Sequence, residues 1–517
     1  MQRSHNKQLF INLVSTAISY ALGLGITFFL TPYVVSHIGI DAYGFLGLAN
    51  SIIGYTLLVT VALNSMMGRF VSIKYHEGNF EEASRFISSA FWANTFFSLL
   101  MVPMLCVFTI YMDIFIDIPQ RLDIDVKSLF LLLVLSTFFS LATNAINIST
   151  FIRNRLELSN IRGIISNILR AAILVTTFSL FTPHLWYFGF AAIICSVYTT
   201  ITYWRLYNRL TPELSIRFRF FSISHAIQLI KSGAWNLLSQ LSNILNQGLD
   251  LLLANVFIGA TAMGVLSIVK AIPLIVIGIF GALCGNFAPR YVELYAKGDM
   301  VGLRSELLKS IRIMGLFTAI PTAIIYGYSD IFFSVWLPGQ DSDLLYMLII
   351  ISCIGMNFAL PYESLWYIFT LTNTVKRSSI NLIEYASATI ILVILGLLFT
   401  HGNDIAGLFV LCSVRTILGA IRCVTFLPLY GAKVLSFKKS TFYPPLVHNL
   451  IVVLIATVAS ILFKVLFLSK SWSSLITGAA FSTILAVSLS YIFVLTESDK
   501  QYIKAKIIHR HAANTSN

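Results

Sequence analysis

Charge is scarce in this sequence. Lysine, arginine, aspartate and glutamate together make up 11% of its 517 residues, where a soluble domain carries about a quarter. Apolar residues make up 57% and the mean hydropathy is +0.82, so the composition excludes a water-soluble fold and predicts an integral membrane protein. Sustained polar–apolar alternation is also lacking, which argues against a transmembrane β-barrel and leaves an all-α class. The six cysteines (Cys106, Cys195, Cys284, Cys353, Cys412 and Cys423) fall in or at the ends of apolar runs, with a spacing that suits neither a disulfide framework nor a metal site. They read as small packing residues, and neither a metal nor a cofactor is expected. Walker A, HExxH and GxSxG sequences are missing, which removes support for ATP hydrolysis and for zinc or serine hydrolase chemistry. A signal-cleavage pattern is missing too. Arg3, His5 and Lys7 precede an apolar stretch too long for a signal core, so the first span is expected to be an uncleaved anchor. The longest external connection, roughly 112–127, is too short for a soluble catalytic domain. An enzyme is therefore not expected.

What the sequence has instead is apolar runs. About fourteen are long enough to cross a bilayer, near 9–35, 42–67, 86–111, 128–149, 160–182, 185–206, 232–257, 261–287, 309–328, 344–369, 379–400, 405–428, 446–468 and 474–495. The basic residues between them are unevenly placed. With both termini cytoplasmic, the external loops hold only Arg121, Lys127, Lys464 and Lys470, the asymmetry that the positive-inside rule predicts. The same loops carry Asp113, Asp117, Asp123, Asp125, Asp330, Asp341 and Asp343. The net charge of +13 therefore orients the chain and touches anionic headgroups; no nucleic-acid partner is implied.

The chain also repeats itself. Ile38-Gly39-x-x-Ala42-x-Gly44-x-Leu46 returns 220 residues later as Ile258-Gly259-x-x-Ala262-x-Gly264-x-Leu266, and Tyr75 and Gly78 return as Tyr295 and Gly298. Cys195-Ser196-Val197-x-Thr199 with Arg205 returns at an offset of 217 as Cys412-Ser413-Val414-x-Thr416 with Arg422. Each copy holds six spans, an even number, so the two are parallel repeats related by an axis along the membrane normal. The expected organisation is a first lobe over 1–209, a basic and aromatic linker over 210–231 read as an interfacial helix, a second lobe over 232–430, and an appended helix pair with a cytoplasmic tail over 431–517. The repeated glycines are expected to permit tight turns and close helix approach. Pro32, Pro103, Pro273, Pro321 and Pro361 interrupt spans and favour bending.

Arg170, Asp250, Lys270, Glu363, Glu384 and Arg415 lie well inside the expected spans. Each costs at least about 2.5–3.5 kcal/mol at a helix centre, so such residues face a bundle interior or a watery cavity. Arg170, Lys270 and Arg415 lie about ten residues from a span end, about 15 Å deep and near the midplane. They form a candidate cationic site for an anionic substrate, or they pair internally with the three acids. Asp250, with Glu363 or Glu384, is a candidate for binding a coupling Na⁺ or H⁺, or else a fixed ion-pair partner. Asn236, Gln240, Asn243, Gln247 and Asp250 share one face of the seventh span, and Ser140, Asn144, Asn147 and Asn154 one face of the fourth. Amide-rich faces avoid lipid, so they line a cavity or hydrogen-bond to another helix. Asn144, Asn147, Gln240, Asn243 and Gln247 are the candidate sugar-binding residues.

The repeated Ile-Gly-x-x-Ala-x-Gly turn, with the loops Lys74-Tyr-His-Glu-Gly78-Asn and Leu294-Tyr-Ala-Lys-Gly298-Asp, resembles the multidrug/oligosaccharidyl-lipid/polysaccharide (MOP) exporter superfamily. Within it the chain most resembles bacterial polysaccharide-type flippases. That resemblance covers essentially the whole chain and implies a rocker-switch between inward-open and outward-open states around a central cationic cavity. It implies transport of an undecaprenyl-pyrophosphate-linked oligosaccharide across the cytoplasmic (inner) membrane by a monomer, with other polysaccharide-assembly proteins as candidate partners. A cation-coupled multidrug antiporter is the alternative within the superfamily, and lipid II-type flippases are a further relative whose arginine pattern is not matched here residue by residue. Chemistry favours the sugar carrier, because a pyrophosphate wants Arg or Lys while a lipophilic cation is repelled by them. A membrane-embedded polysaccharide-assembly enzyme would have to use Asp113, Asp117, Asp123 and Asp125, which read as an ordinary solvated loop.

Overall fold

The computed structural model describes residues 5–497 and Lys500, apart from 154, 248, 286 and 373. Among these residues there is no strand, and nineteen α-helices account for most of the chain. The first repeat holds α1 (His5–His37), α2 (Ile40–His76), α3 (Phe80–Ile110), α4 (Asp123–Ile146), α5 (Ile148–Ile152), α6 (Leu156–Leu180) and α7 (Tyr187–Leu210). The second holds α8 (Ile223–Gln247), α9 (Leu249–Phe257), α10 (Ala260–Cys284), α11 (Ala288–Ala296), α12 (Met300–Trp336), α13 (Ser342–Ile354), α14 (Met356–Ala359), α15 (Trp366–Leu371), α16 (Val375–Phe399) and α17 (Asp404–Val434). After them come α18 (Tyr443–Phe467) and α19 (Trp472–Phe493).

Ten helices among the described residues are long and apolar enough to cross a membrane, or eleven if α2, bent by 59° between Leu58 and Thr60, counts as one span. The protein is thus multi-pass and all-α, but the count of fourteen is not reached by this measure. Neither α7 nor the interrupted α8–α9 meets it, and α1 contributes only a shorter apolar stretch, Ala21–His37. The amides of α8 and the threonines and tyrosines of α7 lower the mean hydropathy of segments that are still helical. In α2 the bend coincides with Thr56 and Thr60, whose hydroxyls donate to the carbonyls of Ile53 and Leu57 at 2.7 and 3.0 Å and so compete with the helical ladder.

The internal repeat is written in the helix boundaries. Helices α2 and α10 begin 220 residues apart, as do α3 and α12, while α7 and α17 begin 217 apart. The reason lies in the turns. Gly39 and Gly259 have φ of 119° and 139°, and Gly78 and Gly298 have φ of 78° and 70°, values that L side chains rarely adopt. The residue after each of the latter caps the next helix: Asn79 Oδ1 accepts from the Glu82 N–H and Asp299 Oδ1 from the Gly302 N–H. Gly44 and Gly264 have a different use. A Cβ on Gly44 would lie 2.7 Å from the Gly264 nitrogen, and one on Gly264 would lie 2.2 Å from the Ile40 oxygen. These repeat-equivalent glycines let α2 and α10 cross backbone to backbone.

By contacts the chain forms two compact units, Met1–Ser267 and Ile268–Asn517. The repeat boundary expected at 210–231 is therefore not the packing boundary: α8, α9 and the start of α10 belong to the first unit. Helix α8 packs along α2, where a Cβ on Gly233 would meet the Ala62 carbonyl at 2.1 Å. The linker also departs from expectation. Of the expected 210–231, residues 211–222 contain only one 3₁₀ turn, Phe218–Phe220, while 223–231 are helical as the start of α8. The segment lies extended against α3, whose Ser84, Ser88 and Ser89 hydroxyls accept from the N–H groups of Ser215, Arg217 and Ser222. Those bonds replace the helical ladder that the linker's composition suggested.

In the second unit, the appended pair is built into the core. Helices α18 and α19 pack on α12 through small residues, Ala319, Ala323, Val452, Ala456 and Ala486. Gly315 makes room for Asn449, whose Nδ2 donates to the Ile311 carbonyl at 3.1 Å. A buried hydroxyl chain joins Tyr328, Ser482 and Ser460 at 2.9 and 2.6 Å, and Lys464 pairs with Asp330 at 2.9 Å.

Candidate functional site

In the first unit, α1, α2, α6, α7 and the start of α10 enclose a cavity of about 190 Å³. Its polar lining comes from Thr27, Thr31, Tyr43, Asn50, Asn167, Arg170 and Ser267. The elements are fixed by amides: Asn160 Nδ2 donates to Ser15 Oγ at 2.9 Å and Asn167 Nδ2 to the Ser19 carbonyl at 3.2 Å, tying α6 to α1. Thr31 Oγ1 donates to the Thr27 carbonyl at 2.7 Å and lies 3.3 Å from Tyr43 Oη. Gly47 leaves space for Ser267, whose hydroxyl would meet an added Cβ at 2.3 Å.

Arg170 is the charged member of this wall. Its Nε is buried and has no hydrogen-bond partner, and its guanidinium makes no ion pair among the described residues. A buried guanidinium nitrogen left without a partner costs free energy in this conformation. The internal pairing that the sequence left open for Arg170 is thus not made here. The polar part of the cavity lining is hydroxyls, amides and one cation, with no carboxylate, and the rest is apolar, from Ile26, Leu30, Val34, Leu46, Leu174 and Phe188.

The other candidates are dispersed. Lys270 and Arg415 are half-buried on α10 and α17 in the second unit, and both have interaction partners. Asn50, which the sequence reading passed over, is the repeat counterpart of Lys270. Gln240 and Asn243 are exposed on α8, while the side chain of Gln247 and residue Asn154 lie outside the described residues. Asn144 is exposed on α4. Asn147 instead caps the break between α4 and α5, its carbonyl and Oδ1 accepting from Thr150 Oγ1 at 2.9 and 3.2 Å. Asp250 is buried in the first turn of α9, with interaction partners of its own, and Glu363 is half-buried in the 3₁₀ turn Leu360–Leu365. Glu384 is exposed on α16 and pairs with Arg377 at 2.9 Å. No group of three or more His, Cys, Asp or Glu able to hold a metal ion occurs among the described residues.

The acids of the loop between α3 and α4 and of the start of α4 are tied up in loop closure. Lys127 pairs with Asp123 at 2.9 Å and Asp113 at 3.5 Å, and Asp125 meets His184 Nδ1 at 2.9 Å. Asp117 exchanges two hydrogen bonds through its backbone with Asn255 of α9, at 2.8 and 3.0 Å. Arg121 donates to both Asp41 oxygens at 2.6 Å and to the Ile38 carbonyl at 2.7 Å. One short loop therefore grips both repeat-equivalent turns.

The fold recurs in solved structures. An inward-closed lipid II flippase MurJ superposes over 94% of this chain and 98% of its own, with a TM-score of 0.69 at 15% identity. An inward-facing multidrug resistance MATE family transporter of the MOP superfamily covers 81% of this chain and 94% of its own, with a TM-score of 0.64 at 14% identity. The chain has the MOP-superfamily fold. A MOP superfamily transporter from Pyrococcus furiosus, reported for the reversed polarity of its binding pocket, shares that fold at a TM-score of 0.58 and 13% identity over 82% of this chain and 95% of its own. In sequence, the chain is 28% identical over 497 residues, 95% of its length, to the uncharacterized membrane protein EpsK of Bacillus subtilis (strain 168), of which 97% is covered. No protein-family model matches. The MOP fold explains the doubled helix pattern, while the identity of the cargo is left to the chemistry of the site.

Two kinds of site residue escaped the sequence. Asn50, Asn167, Thr27, Thr31 and Ser267 are individually ordinary and converge only through the crossing of α1, α2, α6 and α10. Arg422 was visible as the repeat partner of Arg205. Drawing the twelfth span to residue 428 placed it near the cytoplasmic end, whereas α17 continues to Val434.

Proposed function

We propose that this chain is a flippase that carries a lipid-linked oligosaccharide, of the undecaprenyl-pyrophosphate class, from the inner to the outer leaflet by alternating access. The observation that carries this reading is Arg170: a guanidinium with a buried, unbonded Nε, in the wall of a cavity whose polar lining is hydroxyls and amides. A pyrophosphate offers oxygens to such a group, and sugar hydroxyls find partners in amides. Cation binding at Asp250, with Glu363 as a further candidate, or the membrane potential, resets the transporter. The MurJ likeness supports a lipid-linked cargo, and the MATE likeness supports alternating access. A multidrug cation antiporter shares the fold, but a lipophilic cation would meet Arg170 with no acid beside it in the cavity. Lys270 and Arg415, with the amides of α8, remain proposed contacts for the headgroup and sugars.

The deciding experiment is reconstitution in liposomes, comparing translocation of a fluorescent polyprenyl-pyrophosphate glycan with efflux of a cationic dye. Glycan movement that is lost in Arg170→Ala, at unchanged protein level, is the expected result. Dye export without glycan movement would reverse the assignment.

A further inference from the structure

We propose that Arg422 forms a second anion subsite, in the second unit, for a phosphate-type oxyanion; this rests on the reading of the chain as a carrier of a pyrophosphate-bearing lipid. Arg422 lies beside Gly419, the midpoint of the 31-residue α17, about 18 Å from the helix's C-terminal end at 1.5 Å per residue. Its guanidinium carbon stands 4.9 Å from the Trp366 ring centroid and 5.2 Å from that of Tyr385. Its Nε donates to Asn381 Oδ1 at 3.1 Å. Asn381 and Tyr385 are four residues apart on α16, so one helix face supplies both the acceptor and a ring. Tyr385 is itself held, its hydroxyl donating to the Arg415 carbonyl at 3.2 Å and lying where a Cβ on Gly419 would crowd it at 3.1 Å.

The two rings lie within cation–π range of the guanidinium carbon and Asn381 takes its inner nitrogen, which leaves the two terminal nitrogens for a ligand. The terminal nitrogens make no hydrogen bond among the described residues, and neither is sealed off as a buried, unsatisfied atom. A planar fork with two accessible N–H edges matches two oxygens of a phosphate, and its aromatic setting fixes the approach before a ligand arrives. A lysine could not present two parallel donors. Glu363 acts on Arg422 electrostatically without forming an ion pair. A nearby carboxylate weakens the hold on an anion, which suits a carrier that must also release its cargo.

The test uses the full-length protein in lipid nanodiscs, with inorganic pyrophosphate and a short-chain polyprenyl pyrophosphate as probes, read by calorimetry and tryptophan fluorescence. Arg422→Gln and Arg422→Lys should each weaken pyrophosphate binding by ten-fold or more, and Glu363→Gln should tighten it. Trp366→Phe should bind the probe while losing much of the fluorescence change. Unaltered affinity in Arg422→Gln, with binding lost in Arg170→Gln, would overturn the second subsite and leave the flippase reading standing. Failure of the unmodified protein to bind either probe would overturn both. Should the Arg422 variants fail to fold, Glu363→Gln decides, because affinity that is unchanged or lower contradicts the proposal.

Discussion

The two repeats share a backbone and differ in where they put charge. In the first, Arg170 stands in a cavity wall with an orphaned Nε and no acid near it. In the second, the Arg422 guanidinium lies within cation–π range of Trp366 and Tyr385, under the influence of Glu363. The duplicated features are the ones chain geometry demands: positive-φ glycines at 39, 78, 259 and 298, and side-chain caps at Asn79 and Asp299. Most intramembrane charged and amide side chains are not duplicated, the Arg205–Arg422 pair being an exception, because a repeat can change them without disturbing a turn. Duplication therefore preserved the scaffold and left each half free to acquire its own chemistry.

The comparison can be broken most severely at Arg170. Losing a charge-assisted contact of about 1.5–3 kcal/mol should lower glycan translocation by one to two orders of magnitude, while Glu384→Gln, which unpairs exposed Arg377 and weakens the 3.4 Å bond from Asn381 Nδ2, should lower it far less. Equal losses in both variants would mean that intramembrane charge acts through folding alone.

Next in size is the helix crossing. Gly264→Val or Gly44→Ala drives a Cβ into backbone, which no rotamer change relieves, and should destabilise by at least about 1–3 kcal/mol in thermal unfolding. Gly54→Ala and Gly281→Ala, where nothing lies within 4 Å of the added carbon, should be tolerated. A tolerated Gly264→Val would show that the two repeats do not need their shared glycines to approach.

Asn255→Ala tests the loop's grip on both turns. It unpairs the N–H and carbonyl of Asp117 at a site where Asn255 is only 1% exposed, and should cost about 1–3 kcal/mol. It should also raise labelling of a cysteine introduced at Asn50 by an impermeant reagent added outside. Unchanged labelling would remove this loop from control of access.

The smallest effect belongs to the linker. The Glu213 carboxyl is held below the ordinary carboxylate range, first by its own backbone N–H, then by the Tyr75 hydroxyl and Arg153. A depressed pKa contributes stability above the ordinary carboxylate pKa, and that stability is lost as pH falls through the lowered value. Glu213→Gln should flatten this acid-side decline slightly, because the pair is largely solvated. A steeper acid-side loss in the variant would contradict the sign.

Much of the fold was legible because it is local. Apolar runs gave an all-α membrane protein, and the repeated Ile-Gly-x-x-Ala-x-Gly turn gave two related sets of helices whose boundaries recur at the same offsets. The linker misled because its basic, aromatic composition suits an interfacial helix, while three serines of α3 capture its amides instead. The site was half legible. Arg170 declared itself through the cost of a charge deep in a span, but the same cost flagged Glu384, which the structure pairs with Arg377 at the exposed surface of α16.

The sequence by itself determined what depends on neighbours along the chain: membrane class, helix caps, positive-φ turns and the doubling. Tertiary structure alone decided which cation keeps an open donor. Whether Arg170, Arg422 or another charge is satisfied depends on groups brought together from separate helices. Hydrogen-bond partners within about 3 Å are set by helix crossings that no linear spacing encodes.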